Sequence, residues 1–164
     1  MQGKRLFGLA LVMGLTVQTA LAGARATDAQ TQADIQDKVY HAKVYQHGQV
    51  VVTYANGIAT LAGTVDNLGT KLEAERAARK VDGVAQVVNN IKVEADDVTP
   101  RQIFEKARKE VVTYYRYGIF DNVQLAVEGA KLVVSGQVTQ PFKKSDLGRI
   151  LARVRGVAAL ENNL

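Results

Sequence analysis

The sequence predicts an α+β fold made of two tandem small modules. Three observations predict it: a long internal repeat, the same order of helix, hairpin, helix and strand in each copy, and an Asn-Gly turn set between β-branched runs. A repeat of this length marks one structural unit used twice.

The repeat runs at an offset of 73: Lys80-Val81-Asp82-Gly83-Val84 faces Arg153-Val154-Arg155-Gly156-Val157, and Asn89-Asn90-Ile91 faces Asn162-Asn163-Leu164. Upstream, Gly63-Thr64-Val65 faces Gly136-Gln137-Val138 at the same offset, whereas Asn56-Gly57 faces Glu128-Gly129 at 72. One inserted residue is therefore expected in the second hairpin.

In the first copy, Ile35, Val39 and Ala42 lie at i, i+4 and i+7, one face of a helix. Thr31 or Asp34 is expected to cap its start. Residues 50–53 and 58–65 read as two strands around Asn56-Gly57, whose residues both tolerate positive φ. Gly63 inside the second strand implies a bulge or a close backbone approach. Ala74, Ala77, Ala78 and Val81 form the next helical face, Gly83 is expected at its C′ position, and residues 84–93 form the last strand.

The second copy opens with Thr99-Pro100-Arg101-Gln102, a capping box with proline at the first helical position. Ile103, Ala107, Val111 and Tyr114 form its buried face, and residues 123–127 and 132–138 flank the turn. Leu147, Ile150, Leu151 and Val154 repeat the first copy's Ala74, Ala77, Ala78 and Val81 with larger side chains, and Gly156 is the matching stop. The final strand is shorter than its counterpart. Of a short edge strand and a natural chain continuing past Leu164, the second is favoured.

Ahead of the repeat, Lys4 and Arg5 precede an apolar run over residues 6–17, followed by small-x-small sites ending at Ala22 and Ala26. This is the layout of a cleaved export signal, and the run is short for a membrane span. The expected organisation is a signal peptide over 1–26, a first module over 27–96 and a second over 97–164.

The chain of 164 residues holds 21 Lys and Arg against 16 Asp and Glu, with no Cys. The missing cysteines exclude disulfides, thiolate metal sites, a cysteine nucleophile and a lipid-modified cysteine. Without the leader the count is 18 to 16, so most of the basicity leaves with it and a nucleic-acid partner loses its support. His41 and His47 are the only imidazoles and Ser135 and Ser145 the only serines; no nucleophile–base pair or metal-ligand spacing emerges. The expectation is a protein that is not an enzyme, with no cofactor, no metal and no small-molecule substrate.

The remaining charge is uneven. Residues 27–96 carry 7 basic and 9 acidic side chains; residues 97–164 carry 11 and 7. On the second copy's second helix Lys144, Arg149 and Arg153 lie off the apolar face, with Lys143 and Arg155 beside them. In the first copy Lys71, Arg76 and Lys80 are diluted by Glu73 and Glu75. Tyr114, Tyr115, Tyr117 and Phe120 cluster with Arg116 between helix and hairpin. Tyr114 and Phe120 are expected to close the core, leaving Tyr115 and Tyr117 as interfacial anchors.

The segments Asn56-Gly57-Ile58-Ala59-Thr60-Leu61-Ala62-Gly63-Thr64-Val65, Val81-Asp82-Gly83-Val84 and Val88-Asn89-Asn90-Ile91 resemble the BON domain, a bacterial envelope module of about 60 residues. Gly118-Ile119-Phe120-Asp121-Asn122-Val123, Val134-Ser135-Gly136-Gln137-Val138-Thr139 and Gly156-Val157 carry the likeness in copy two, which departs from it at Pro141-Phe142. The resemblance implies a roughly three-stranded sheet with two helices packed on one face, twice over. It also implies a periplasmic or envelope location, a link to stress response, and binding of phospholipid or envelope proteins. The expected function is contact with an anionic phospholipid surface through Lys143, Lys144, Arg149, Arg153, Tyr115 and Tyr117. The alternative is a protein-interaction adaptor using a sheet edge or the aromatic cluster.

Overall fold

The computed structural model describes the backbone from residue 16 and side chains from residue 27. The leader expected over 1–26 falls largely outside that description. The first half comprises α1 (Thr16–His41), a 3-10 turn over Val44–Gln46, β1 (Gly48–Ala55), β2 (Ile58–Val65), α2 (Leu68–Ala78) and β3 (Gln86–Val93). The second comprises α3 (Pro100–Thr113), β4 (Asn122–Glu128), β5 (Lys131–Gln137), α4 (Pro141–Ala152) and β6 (Ala159–Asn163).

Each half builds one three-stranded sheet, ordered β1-β2-β3 and β4-β5-β6. The hairpins are antiparallel, and the third strand returns through a helix to lie parallel to the second. That parallel pairing needs a crossover, which α2 and α4 supply.

The Asn56-Gly57 turn forms as expected, with φ of 51° and 83°. The second hairpin corrects the sequence reading. Glu128 pairs with Lys131, so the turn is Gly129-Ala130 and the offset of 73 holds with no insertion. Gly63 marks a close approach rather than a bulge. Pairing runs regularly through it, φ is +130°, and a Cβ there would sit 2.1 Å from the Gln49 carbonyl oxygen.

Thr99 and Gln102 complete the reciprocal capping box at α3, with Pro100 at its first position. Thr31 and Asp34 do not cap α1, because the helix already runs through them; the Thr31 hydroxyl donates to the Thr27 carbonyl at 3.0 Å. Gly83 and Gly156 are likewise not C′ residues. The helices end at Ala78 and Ala152, and these glycines take φ of 89° and 90° in the loops beyond.

The core faces follow the helical spacing. Ile35, Val39, Ala74, Ala77, Ala78 and Val81 close on Val52, Ala59, Leu61, Val65 and Ile91. Ile103, Ala107, Val111, Tyr114, Leu147, Leu151 and Val154 close on Leu132, Val134 and Val157. Both helices of each half therefore cover one face of its sheet.

Modules of this size bury only about 60% of their unfolded surface and are marginal alone. Here the halves dock. Leu68 N–H donates to the Val157 carbonyl and Gly156 N–H to the Asp66 carbonyl, each at 2.8 Å, and the Leu68 side chain packs against the second core. Arg155 lies 3.7 Å from Asp66 and 3.0 Å from Asp97.

Candidate interaction site

The most exposed apolar surface of the second half lies on the loop between α3 and β4. The helix stops at Thr113 because Tyr114 turns to extended backbone, ψ 116°. Its ring drops into the core, and its hydroxyl donates to Asp146 at 2.8 Å. Burial first, then this hydrogen bond to a carboxylate, pushes the phenol up to about 12.

Asp121 anchors the other end of the loop. Its buried carboxylate accepts from Lys143 Nζ at 2.7 Å, from the Gly118 and Thr139 N–H groups at 2.8 Å each, and from the Thr139 hydroxyl at 3.0 Å. The Lys143 bond, followed by the backbone donors, holds this carboxyl well below the usual range. Four donors converging on one buried carboxylate fix its position, since any left unmade would strand a desolvated group.

Between these anchors the loop faces outward. Tyr115 is 78% exposed, Ile119 92% and Phe120 80%, with Val112 and Phe142 also exposed. The Arg116 guanidinium lies 4.9 Å from the ring centroids of both Tyr115 and Phe142. Exposed apolar groups gathered on a rigidly anchored loop are a mark of a binding surface.

The structure redistributes the residues singled out from sequence. Lys143 is buried in its pair with Asp121 and presents no surface charge. Tyr117 is half-buried and packs against the second core. Phe120 is corrected the other way: it does not close the core. Lys144 is exposed and forms no ion pair among the described residues. Arg149 pairs with Asp146, and Arg153 lies 4.0 Å from Glu73. Tyr115, Arg149 and Arg153 share the rim of a groove of about 450 Å³ between α3 and α4.

In the first half two arginines pair with carboxylates of α2, Arg76 with Glu73 and Arg79 with Glu75, each at 2.6 Å. His41 lies 3.4 Å from Asp37 and His47 3.2 Å from Asp66. Among the described residues no group of three or more His, Cys, Asp or Glu is placed to hold a metal ion. No described helix is long and apolar enough to cross a membrane.

Val112, Ile119, Phe142 and the carboxylate of Asp146 belong to the site and were not singled out from sequence. The repeat held a signal for the loop: Phe120 lies 73 positions after His47, a residue exposed in the first half.

Residues 27–95 match the BON domain family model. An uncharacterized protein in the gshII 5'region of Anaplasma centrale is 38% identical over 64 residues, which is 37% of this chain and 42% of that protein. The chain thus spans less than half of that relative's length. Two solved structures of CdsD, a structural protein of the type III secretion system of Chlamydia trachomatis, align at 14% and 13% identity. They cover 80% and 79% of this chain and 96% and 90% of their own, each with a TM-score of 0.34.

Proposed function

We propose that this chain, whose residues 27–95 match the BON domain family model, acts as a non-enzymatic envelope binding module that contacts anionic phospholipid through the α3–β4 loop. The observation that carries the reading is the outward placement of Tyr115, Ile119 and Phe120 on a loop fixed by the Asp121–Lys143 pair. Aromatic rings with polar edges settle at the membrane–water boundary. Arg116 lies within the loop and Lys144 is exposed on α4, and each such cation contributes about 1 kcal/mol beside anionic lipid. The unequal charge of the halves supports the second as the lipid-facing one, and an export leader over 1–26 would deliver the protein to the periplasm. BON domain proteins are typically periplasmic or envelope-associated, in keeping with that route.

Flotation with vesicles tests this reading. The protein is expected to float with phosphatidylcholine vesicles containing phosphatidylglycerol at low salt, and to stay behind with phosphatidylcholine alone. High salt weakens the charged contribution. Failure to float with the anionic vesicles at low salt rejects the lipid reading.

A second reading, a protein-interaction adaptor, is favoured by the open face of the first sheet. There Val51 and Ile58 are 62% and 41% exposed, and Lys92 is the only charge among the outward residues of β1, β2 and β3. Loss of partner capture on Val51→Ser with vesicle binding unchanged would assign that face to protein contact.

A further inference from the structure

We infer that Arg116 is a phosphate-binding residue, held ready by its two rings to take the phosphodiester of a lipid headgroup. This rests on the lipid reading and gives that surface its ligand chemistry.

Arg116 is exposed, yet its guanidinium is not a free tether: its carbon lies over Tyr115 and over Phe142 at 4.9 Å from each centroid. These rings come from different elements, the loop after α3 and the first turn of α4, so the cation bridges them. Ring contacts occupy the faces of a guanidinium and leave its edge, where the N–H donors lie.

No carboxylate claims that edge. Arg116 forms no ion pair among the described residues. Asp146 influences it only at longer range, and is itself bonded to Tyr114 and Arg149. The other arginines near this surface differ, since Arg149 is bound to Asp146 and Arg153 sits close to Glu73. An unclaimed planar fork suits a tetrahedral oxyanion, which it can grip with two parallel hydrogen bonds. Its neighbours Tyr115, Ile119 and Phe120 would sit among acyl chains and glycerol while Arg116 meets the phosphate above them.

The chemistry separates this role from general attraction. Lysine keeps the charge and loses the fork and most of the ring contact. Partitioning onto phosphatidylglycerol vesicles should fall about tenfold in Arg116→Lys. Lys144→Gln, which removes a charge outright, should cost less and flatten the salt dependence. Arg116→Lys partitioning like the wild type overturns the inference while leaving the lipid reading in place. A wild type that fails to partition removes both. Inorganic phosphate should displace the protein no better than chloride at equal ionic strength. Selective displacement by phosphate would reassign the site to the free ion and overturn the headgroup assignment. Because Arg116 is exposed, the Lys variant should unfold at the wild-type midpoint, which keeps the comparison clean.

Discussion

Asn162 donates its side-chain amide to the Lys144 carbonyl across 2.9 Å, and Asn89, 73 positions earlier, does the same to Lys71 across 3.1 Å. In each half the asparagine oxygen also accepts from the N–H two residues on, Ile91 or Leu164. One side chain thus ties the third strand to the second helix of its half and shapes its own strand. This is why the first asparagine of the Asn-Asn pair recurs. Asn162→Ala should cost about 1 kcal/mol, the net worth of a hydrogen bond. Amide exchange should quicken in β6 while the β4–β5 hairpin keeps its protection. Unchanged exchange in β6 would deny Asn162 this role.

Asp121 makes acid stability depend on the loop anchor. Its folded carboxyl is held below the unfolded value of about 3.9, so the stabilisation is complete above that pH and is lost as pH falls through the folded value. In denaturant melts, the wild type should exceed Asp121→Asn by most at neutral pH. The two should converge as the solution is acidified below about pH 4. A gap independent of pH would mean that the Lys143 pair is not what the carboxylate contributes.

Tyr114 supplies an alkaline counterpart. Its phenol is raised to about 12, so the folded state keeps a proton that the unfolded chain gives up near 10. Stability should therefore fall as pH rises from about 10 towards 12. Ultraviolet titration should show one tyrosine ionising only near pH 12, and Tyr114→Phe should lose that step. Asp146→Asn should bring it down. Persistence of the late step in Tyr114→Phe would assign it to another ring.

Two glycines of the second hairpin should respond very differently to alanine. At Gly136, φ is +126° and a Cβ would meet the Asn122 carbonyl oxygen at 2.0 Å, whereas Gly129, at +60°, has nothing within 4 Å. Gly129→Ala should cost about 1 kcal/mol, the left-handed penalty alone. Gly136→Ala adds a backbone clash and should cost about 3 kcal/mol or more by urea denaturation. Equal costs would remove the close approach as the reason for glycine at Gly136.

The repeat, the capping box at Thr99 and Gln102 and the helical core faces were legible because each is a local pattern. The second turn was misplaced because Glu128-Gly129 imitates the Asn-Gly pair by one glycine, while strand pairing fixes the register from both sides. Lys143 reads as one charge among several on a helix. Its burial is decided by Asp121, 22 residues earlier, which local spacing cannot see. The repeat did hold the clue: Lys143 occupies the place of Thr70, which is buried against the Asn67 cap. Phe120 was assigned to the core on its chemistry, but the Tyr114 ring and the Asp121 anchor fill the inward places and turn it out.

The chain has no tryptophan, so Phe120→Trp would place a single reporter at the tip of the proposed contact. On vesicles containing phosphatidylglycerol its emission should shift to the blue, and a Val51→Trp reporter on the first sheet's open face should not shift. A blue shift confined to position 51, or none at either, would contradict a lipid contact made by the α3–β4 loop.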